Sequence, residues 1–518
     1  MPELLAIALK HRVTSLALAL AGALLAHVVL AFALGLSTDE AHYALYAQHL
    51  ALSYFDHPPL VGWAQWPWSA LGRSDVLMRL APLACWLLAG LGLTGLAQSL
   101  YASADVARAA LWLWLLSPLG HLLGLALVPD TLLLPIICAV MHFCWRLSDA
   151  RQVARLPLWL GLGLFLGLAG LSKYTAVLLA LGAALALLLA HGPRLLGRAG
   201  PWMAVALAAL LVSPVLLWNA SHQWISLAYQ FSHAAGNDEW LLRRVGLFAV
   251  VQVLGYGLLL AAGLIAAWRQ PRDLAGAGSA TPKPAVSPLV FCACFGLPTL
   301  LLLLYLSGRG STLPHWAAPA WVALTPVAAA GCQALWLRAR KLLLGLGGFQ
   351  ALSCLALAAL MLTAGFGTET GEQTHSRPGQ EIESTQFNPF ADLFGWDAAA
   401  TRASQLAAQN GNATLAVHNW TLASRIAWYA RPLPVKVVER HLDQYGLWFG
   451  LLQPGESALL VDWSQLTFAP PAGPAQFERC DLLDQLAVTR LGRQISHFNF
   501  LLCRNWQGPQ ENALDRRL

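Results

Sequence analysis

Charged residues are scarce in this chain, and their scarcity excludes most soluble classes of protein. Only 11% of its 518 residues are charged and 57% are hydrophobic, whereas an ordinary soluble domain has about 25% charged residues. The sequence also lacks a basic stripe with interleaved aromatic residues, so nucleic acid is not an expected partner. It has instead a series of apolar runs of roughly 20 residues, each long enough to cross about 30 Å of hydrocarbon. These features predict a membrane protein.

Apolar runs divide the first two thirds of the chain into about eleven predicted membrane spans. The first run follows Lys10, His11 and Arg12 and meets the polar stretch STDEAHY without a small-residue cleavage site. We therefore interpret it as a retained helix rather than a signal peptide. The runs lie near residues 13–36, 77–99, 107–128, 131–147, 157–172, 174–191, 201–218, 245–267, 288–307, 316–336 and 342–363.

Lysine and arginine are distributed unequally between the two sets of loops. With the N-terminus in the cytoplasm, the cytoplasmic loops carry most of them, as the positive-inside rule requires. These residues are Lys10, Arg12, Arg108, Arg146, Arg151, Arg155, Arg194, Arg198, Arg269, Arg272, Lys283, Arg338, Arg340 and Lys341. The opposite loops carry Arg73, Arg79, Arg243, Arg244 and Arg309. An odd number of spans then predicts that the C-terminal tail lies outside the cytoplasm.

The tail from about Gly365 to Leu518 differs in composition from the rest of the chain. It holds about 15 of the 26 acidic residues and no run long enough to span a membrane. Short apolar runs such as ATLAVHN and SALLVDW, with a helix-like segment from Trp396 to Gln409, predict a small α/β domain. Cys480 and Cys503 lie in this tail, where a disulfide is allowed, and two unrelated thiols are the alternative.

Ionisable residues near membrane depth are the main functional signal, because each costs several kcal/mol unless it is paired or hydrated. They occur at four places in the sequence that the topology puts on one outer face. They are Asp39, Glu40, His42, Asp56 and His57, then Asp130, then Lys173, then Arg309 and His315. Arg243 and Arg244 are interpreted as headgroup residues and left out of the predicted site.

Carboxylates on one face together with lysine and arginine indicate a particular chemistry. A carboxylate acts as a general base on an acceptor, while the cations neutralise an anionic leaving group. Carboxylates alone would indicate a cation site. Asp39 alone has a simpler interpretation, as the cap of a helix that begins at Ala41.

The order of these motifs resembles the polyprenyl-phosphate-dependent GT-C glycosyltransferases. The motifs are the Asp-Glu pair after the first run, YFDHPPL, PD at Asp130, LSKYT at Lys173 and HWAAPAW from His315, with a weaker match at NPFADLFGWDAAA in the tail. The closest similarity is to the bacterial branch of glycosyltransferase families 39 and 83, with lipid A aminoarabinose transferases and relatives of protein O-mannosyltransferases. The resemblance implies an α-helical polytopic GT-C membrane domain over residues 1–363, with a periplasmic loop at about 37–76. A periplasmic α/β domain over residues 364–518 follows.

The same resemblance implies an inverting glycosyltransferase in the bacterial inner membrane. Its donor is a sugar on a polyprenyl monophosphate of the undecaprenyl type. Its acceptor, reached from the periplasm, is lipid A or lipopolysaccharide, another glycan, or a protein. Membrane lipids are the remaining expected partners.

Residue roles follow from matching positions in the family motifs. Asp39 matches the base that activates the acceptor hydroxyl, with Glu40 beside it, and Asp130 matches a position that holds acceptor or metal. Lys173 and Arg309 are candidates for the lipid phosphate. The other predicted donor-binding residues are Tyr54, Asp56, His57, Tyr174 and His315. No obligatory metal or other cofactor is predicted, and a divalent cation at Asp39 and Asp130 is the alternative.

His57 marks a departure from the aminoarabinose branch, which tends to carry lysine before the two prolines. Histidine is only partly charged near neutral pH, so a permanent cation is not expected here. Two other classes of function compete with the enzyme. A transporter or flippase is disfavoured because the sequence has no repeated halves. A scaffolding protein would leave the charges at Asp39 and Lys173 unexplained.

Overall fold

The structure is a computed structural model with two compact units. It describes residues 2–235, 239–269, 285–310, 312–365, 388–438, 442–465 and 476–508. The first unit is Met1–Val29 with Leu50–Leu357, and the second is Leu30–His49 with Ala358–Leu518. Arg272 and Lys283, which contribute to the predicted topology, lie outside the described residues.

Helices make up nearly all of the regular structure before residue 364. In chain order the helices are α1 (Pro2–Ala33), α2 (Thr38–Tyr46), α3 (Leu60–Leu71), α4 (Asp75–Met78), α5 (Leu80–Tyr101), α6 (Ala104–Leu115), α7 (Pro118–Leu125), α8 (Pro129–Leu147), α9 (Leu156–Ser172), α10 (Val177–His191), α11 (Ala199–Ser221), α12 (Ile225–Ala235), α13 (Leu242–Tyr256), α14 (Leu258–Arg269), α15 (Pro288–Ser307), α16 (Ala318–Thr363), α17 (Trp396–Gln409), α18 (Trp420–Tyr429) and α19 (Gln444–Phe449). Short 3₁₀ turns occur at Tyr174–Ala176, Pro193–Gly197, Pro314–Ala317 and Ala391–Leu393. Helix α16 is two helices joined across a kink at Ala339.

The helices identify the chain as a multi-pass membrane protein. In the part of the chain that the structure describes, seven are long and apolar enough to cross a membrane, and nine are if each bent pair counts as one span. All eleven predicted apolar runs overlap helix. The membrane class and helical architecture are therefore confirmed, and the number of eleven spans stays a prediction.

A single glutamine satisfies backbone groups at both bent pairs, where α6 meets α7 at 69° and α13 meets α14 at 101°. Gln350 Nε2 donates to the Leu116 carbonyl at 2.9 Å, and Gln350 Oε1 accepts from Leu259 N at 2.8 Å. Gly257, at a φ of 120°, leaves room for this side chain, because a Cβ there would lie 2.0 Å from Gln350 Nε2. Broken helices are tolerated in apolar surroundings when the freed backbone groups find such partners.

The second unit contains a five-stranded mixed sheet. The strands are β1 (Thr414–Val417), β2 (Val435–Val437), β3 (Ala458–Trp463), β4 (Phe477–Arg490) and β5 (Arg493–Trp506), in the order β2-β1-β3-β5-β4. Strand β1 runs parallel to β2 and β3, and the β3–β5 and β4–β5 pairs are antiparallel. Helices α17 and α18 pack against this sheet, which confirms the predicted small α/β domain.

The two cysteines of the tail are directly opposite each other on β4 and β5. Cys480 pairs with Cys503 in the strand register, and their sulfurs form a disulfide. The two thiols are therefore not unrelated. Within the described residues the remaining seven cysteines are free and at least half-buried.

Candidate active site

A buried ion pair joins two predicted site residues of the first unit. Asp130 lies in the first turn of α8, behind Pro129, and Lys173 follows the last residue of α9. Lys173 Nζ is 2.8 Å from Asp130 Oδ1 and 2.6 Å from Oδ2. Ser172 Oγ donates to the Pro129 carbonyl at 2.7 Å, which holds the two helix ends together.

The HW motif lies against this pair. His315 Nε2 is 3.6 Å from Asp130 Oδ2, and Lys173 Nζ is 5.0 Å from the centre of the Trp316 ring. Helix α13 fixes the motif, because Gln252 Nε2 and Tyr256 Oη donate to the Pro314 carbonyl at 3.0 and 3.3 Å. Three segments far apart in sequence thus meet at one polar cluster.

The cluster is enclosed. The side chains of Asp130 and Lys173 are only 2% and 8% exposed. Removing one partner of such a pair leaves an uncompensated buried charge, which costs about 3–5 kcal/mol. Lys173 is therefore paired with Asp130 in this structure. The sequence did not predict this contact.

Tyr174 begins the 3₁₀ turn directly after Lys173. Its hydroxyl oxygen is buried, and among the residues that the structure describes it has no hydrogen-bond partner. A buried hydroxyl usually has a partner. Tyr174 therefore has a buried hydroxyl donor that no described residue uses.

The YFDHPPL stretch is held by helix α12. Ser226 Oγ donates to the Tyr54 carbonyl at 2.7 Å, and Gln230 Nε2 donates to the Asp56 carbonyl at 2.5 Å. Tyr54 N donates to the His57 carbonyl at 3.1 Å, which closes a turn around Asp56. Burial, and then the Asp56 carboxylate, raises the pKa of Tyr229 to about 12.

Tyr54 is fully buried, and burial raises the pKa of its hydroxyl. The hydroxyl accepts a hydrogen bond from Ala51 N at 3.2 Å. Tyr54 therefore stays protonated and supports the loop. Its contact with a donor molecule stays a prediction.

Arg309 lies in the turn after α15, where it is half-buried. Arg244 lies against the next residue of that turn, because a Cβ on Gly310 would be 3.1 Å from Arg244 Nη1. Arg244 thus adds a second guanidinium to the turn that carries Arg309. From the sequence, Arg244 was interpreted as a headgroup residue and left out of the predicted site.

Asp39 and Glu40 belong to the second unit, in the first turn of α2. The helix begins at Thr38 with Ser37 as its cap, so the interpretation of Asp39 as a cap before Ala41 is wrong. Glu40 Oε2 accepts from Ser37 N at 3.0 Å and from Ser37 Oγ at 2.9 Å. Glu40 therefore stabilises the helix end. The role of Asp39 as the base stays a prediction.

Helix α2 packs against α18 of the same unit. Gly35 N donates to the Leu393 carbonyl at 3.0 Å, and Leu36 N donates to Tyr429 Oη at 2.9 Å. In the middle of α2, His42 Nδ1 lies 3.0 Å from Tyr445 Oη. These contacts hold the segment that carries Asp39.

No group of three or more metal-ligating side chains occurs in the described part of the chain. Asp39 and Asp130, the alternative cation ligands, belong to different units. In the polar cluster of the first unit, a cationic side chain, a carboxylate and two aromatic rings lie together.

Comparison with known proteins gives this arrangement a context. Residues 56–218 match a family model described as dolichyl-phosphate-mannose-protein mannosyltransferase. Over 317 residues the chain is 26% identical to the lipid A galacturonosyltransferase RgtD of Rhizobium johnstonii, a match that covers 61% of this chain. The match spans 64% of that relative's length.

Two crystal structures of ArnT from Cupriavidus metallidurans share the fold. The apo structure has a TM-score of 0.61 at 16% identity and covers 94% of this chain and 98% of ArnT. The structure bound to undecaprenyl phosphate has a TM-score of 0.63 at 16% identity and covers 93% and 97%. The predicted GT-C fold and the resemblance to glycosyltransferases that modify lipid A are thereby confirmed.

Proposed function

We propose that this chain is an integral membrane glycosyltransferase that transfers a sugar from a polyprenyl monophosphate to a cell-envelope acceptor. The observation that carries the proposal is the buried Asp130–Lys173 pair beside His315 and Trp316. Both charged partners of the pair lie inside the stretch that matches the mannosyltransferase family model. Ionisable groups buried in a membrane domain usually serve a substrate rather than stability.

The donor lipid is of the undecaprenyl type in this proposal, supported by the undecaprenyl phosphate bound to ArnT. The acceptor is a lipid A-type glycolipid, supported by the similarity to RgtD. Another glycan or a protein is the alternative, and the family model favours the protein. The enzyme lies in the bacterial inner membrane, with residues 1–363 as catalytic membrane domain and residues 364–518 in the periplasm.

Inversion proceeds by a single displacement. The acceptor hydroxyl attacks the anomeric carbon, the bond from that carbon to the phosphate oxygen breaks, and the polyprenyl phosphate leaves with both electrons. Asp39 takes the proton of the hydroxyl. Asp130 holds the Lys173 ammonium in place, and the ammonium neutralises the phosphate as it leaves.

Other cationic and polar side chains assist the phosphate. His57, Arg309 and His315 contribute charge or hydrogen bonds, and Tyr174 donates from its hydroxyl. Asp56 orients the turn that carries His57. In this proposal, cationic side chains neutralise the charge of the leaving phosphate. Sugar transfer that persists in EDTA would support this mechanism over one with a divalent cation at Asp39 and Asp130.

The test is transfer of radiolabelled sugar from undecaprenyl phosphate to lipid A by the purified, full-length protein. Asp39→Asn is expected to abolish transfer with unchanged thermal unfolding. The matched control is Asp105→Asn, a half-exposed carboxylate that pairs with Arg108 on α6 and should retain full transfer.

Full transfer in Asp39→Asn would remove Asp39 from the mechanism. Mass spectrometry of envelope glycolipids and glycoproteins from a deletion strain then identifies the acceptor. One sugar missing from lipid A supports the glycolipid, and one missing from a protein supports the alternative.

A further inference from the structure

Arg425, on α18 of the second unit, is a fully buried cation with a fixed environment. Its guanidinium carbon lies 3.7 Å from the centre of the Trp396 ring. Nη1 forms an ion pair with Asp392, and Nη2 donates to the Thr421 carbonyl at 3.1 Å. Stacking and two anchored nitrogens leave the guanidinium plane little freedom to rotate.

The face of α18 that carries Arg425 is the face that receives α2. Tyr429 lies one turn after Arg425, and residues four apart share one side of a helix. Tyr429 Oη accepts the hydrogen bond from Leu36 N, three residues before Asp39. Gly35 N bonds to the Leu393 carbonyl, next to Asp392. The start of α2 is thus held at two points beside the Arg425–Asp392 pair.

The charges agree with this packing. Burial lowers the pKa of Arg425 to about 9, and electrostatic interactions with Tyr429, Tyr445 and Asp39 act in the opposite direction. Asp39 follows three residues after the Leu36 anchor on Tyr429, and its carboxylate interacts electrostatically with the guanidinium. A buried arginine needs one carboxylate for neutrality, and Asp392 already supplies it. Neutrality therefore does not explain why Arg425 also interacts with a second carboxylate, that of Asp39.

We propose that Arg425 is a positioning residue, whose guanidinium orients the Asp39 carboxylate and keeps it ionised for proton abstraction. This rests on the proposed function, in which Asp39 is the general base. It gives the C-terminal unit a part in the reaction, because α18 supplies the cation that prepares the base. The other titratable groups packed around this pair are Asp392, Tyr429, Tyr445, His42 and Glu40.

The test measures transfer against pH in the full-length enzyme with Arg425→Gln and Arg425→Lys. A neighbouring cation favours the ionised carboxylate, so its loss lets Asp39 bind a proton at higher pH. In Arg425→Gln the acid limb of kcat/KM is expected to move up by about one pH unit, with kcat about tenfold lower and donor KM unchanged. Arg425→Lys keeps the charge and should restore the position of the limb.

The matched control is Arg402→Gln, on α17, which breaks a part-exposed ion pair with Asp484 and should leave the pH profile unchanged. Asp392→Asn provides a second readout of opposite sign. It removes the competing carboxylate and should move the acid limb to lower pH. This variant keeps the arginine, so it decides the question if Arg425→Gln fails to fold.

The outcomes separate the two proposals. If Asp39→Asn keeps full transfer, the proposed base is wrong. If Asp39→Asn is inactive while the Arg425 and Asp392 variants keep the wild-type acid limb, the positioning role is wrong and the base stands.

Discussion

At the scale of single residues, the proposed function depends most on two buried charged residues, Asp130 and Lys173. Asp130 and Lys173 are 43 positions apart in sequence, and each alone was predicted to face the substrate. Their mutual contact changes the expected effect of substitutions, because each now also neutralises the other. Stability and activity must therefore be separated at this site.

Lys173→Met is expected to destabilise the protein by about 3–5 kcal/mol, because it leaves the Asp130 carboxylate buried without its cation. The double variant Lys173→Met/Asp130→Leu should recover most of that loss. Thermal unfolding in detergent measures both.

Both variants should lose binding of undecaprenyl phosphate, since neither has the ammonium. Retained lipid binding in the stable double variant would show that Lys173 serves only Asp130. Lys341→Met, on the predicted cytoplasmic side, is the control for a lysine outside the site.

His418, after strand β1, gives the stability of the C-terminal α/β domain a dependence on pH. Burial lowers the pKa of His418 to about 4, below the value of about 6.5 of an unfolded chain. As pH falls below about 6.5 the unfolded state binds the proton first, so stability decreases until about pH 4. The loss amounts to at most about 3 kcal/mol.

The measurement is the stability of the full chain against unfolding between pH 7 and 4. His418→Asn is expected to make the decrease in stability with falling pH less steep. His497→Asn, at a half-buried histidine on β5, should keep the wild-type slope. Identical slopes in wild type and His418→Asn would show that other groups cause the decrease.

At the scale of secondary structure, the sequence predicts most helices and little of their bending. Apolar runs located the helices because long apolar segments must form helix in a membrane. The helix from Trp396 to Gln409 and the cores of β1 and β3 were also predicted from local pattern. Sheet order was not, because pairing of β3 with β5 depends on contacts between distant segments.

The bend at Gly257 can be tested against a glycine of the same helix pair. Gly257→Ala places a Cβ in a left-handed conformation and 2.0 Å from Gln350 Nε2, so a loss of roughly 1–3 kcal/mol is expected. Gly246→Ala in α13, where a Cβ meets nothing within 4 Å, should be neutral or stabilising.

Thermal unfolding in detergent compares the two variants. Equal stability would show that the bend does not require glycine.

At the scale of the whole molecule, the sequence grouped residues by their position relative to the apolar runs. It therefore assigned Asp39 and Glu40 to the membrane domain, as part of the loop at 37–76. The structure groups Leu30–His49 with Ala358–Leu518 instead. The bonds responsible join residues nearly 400 apart, such as Leu36 to Tyr429, and no local pattern encodes such a contact.

The orientation of the chain in the membrane is predicted from charge alone. It is the prediction at this scale that is easiest to test. Arg151 lies in a loop with several arginines, which predicts the cytoplasmic side, whereas the Cys480–Cys503 disulfide is typical of an oxidising compartment. Alkaline phosphatase fused behind Leu518 is expected to be active in bacterial cells, and the same enzyme fused behind Arg151 inactive. Alkylation and mass spectrometry without reductant should find Cys480 and Cys503 joined. A reversed reporter pattern would put Asp39 on the cytoplasmic side and require a cytoplasmic acceptor, whereas the buried Asp130–Lys173 pair would remain as it is.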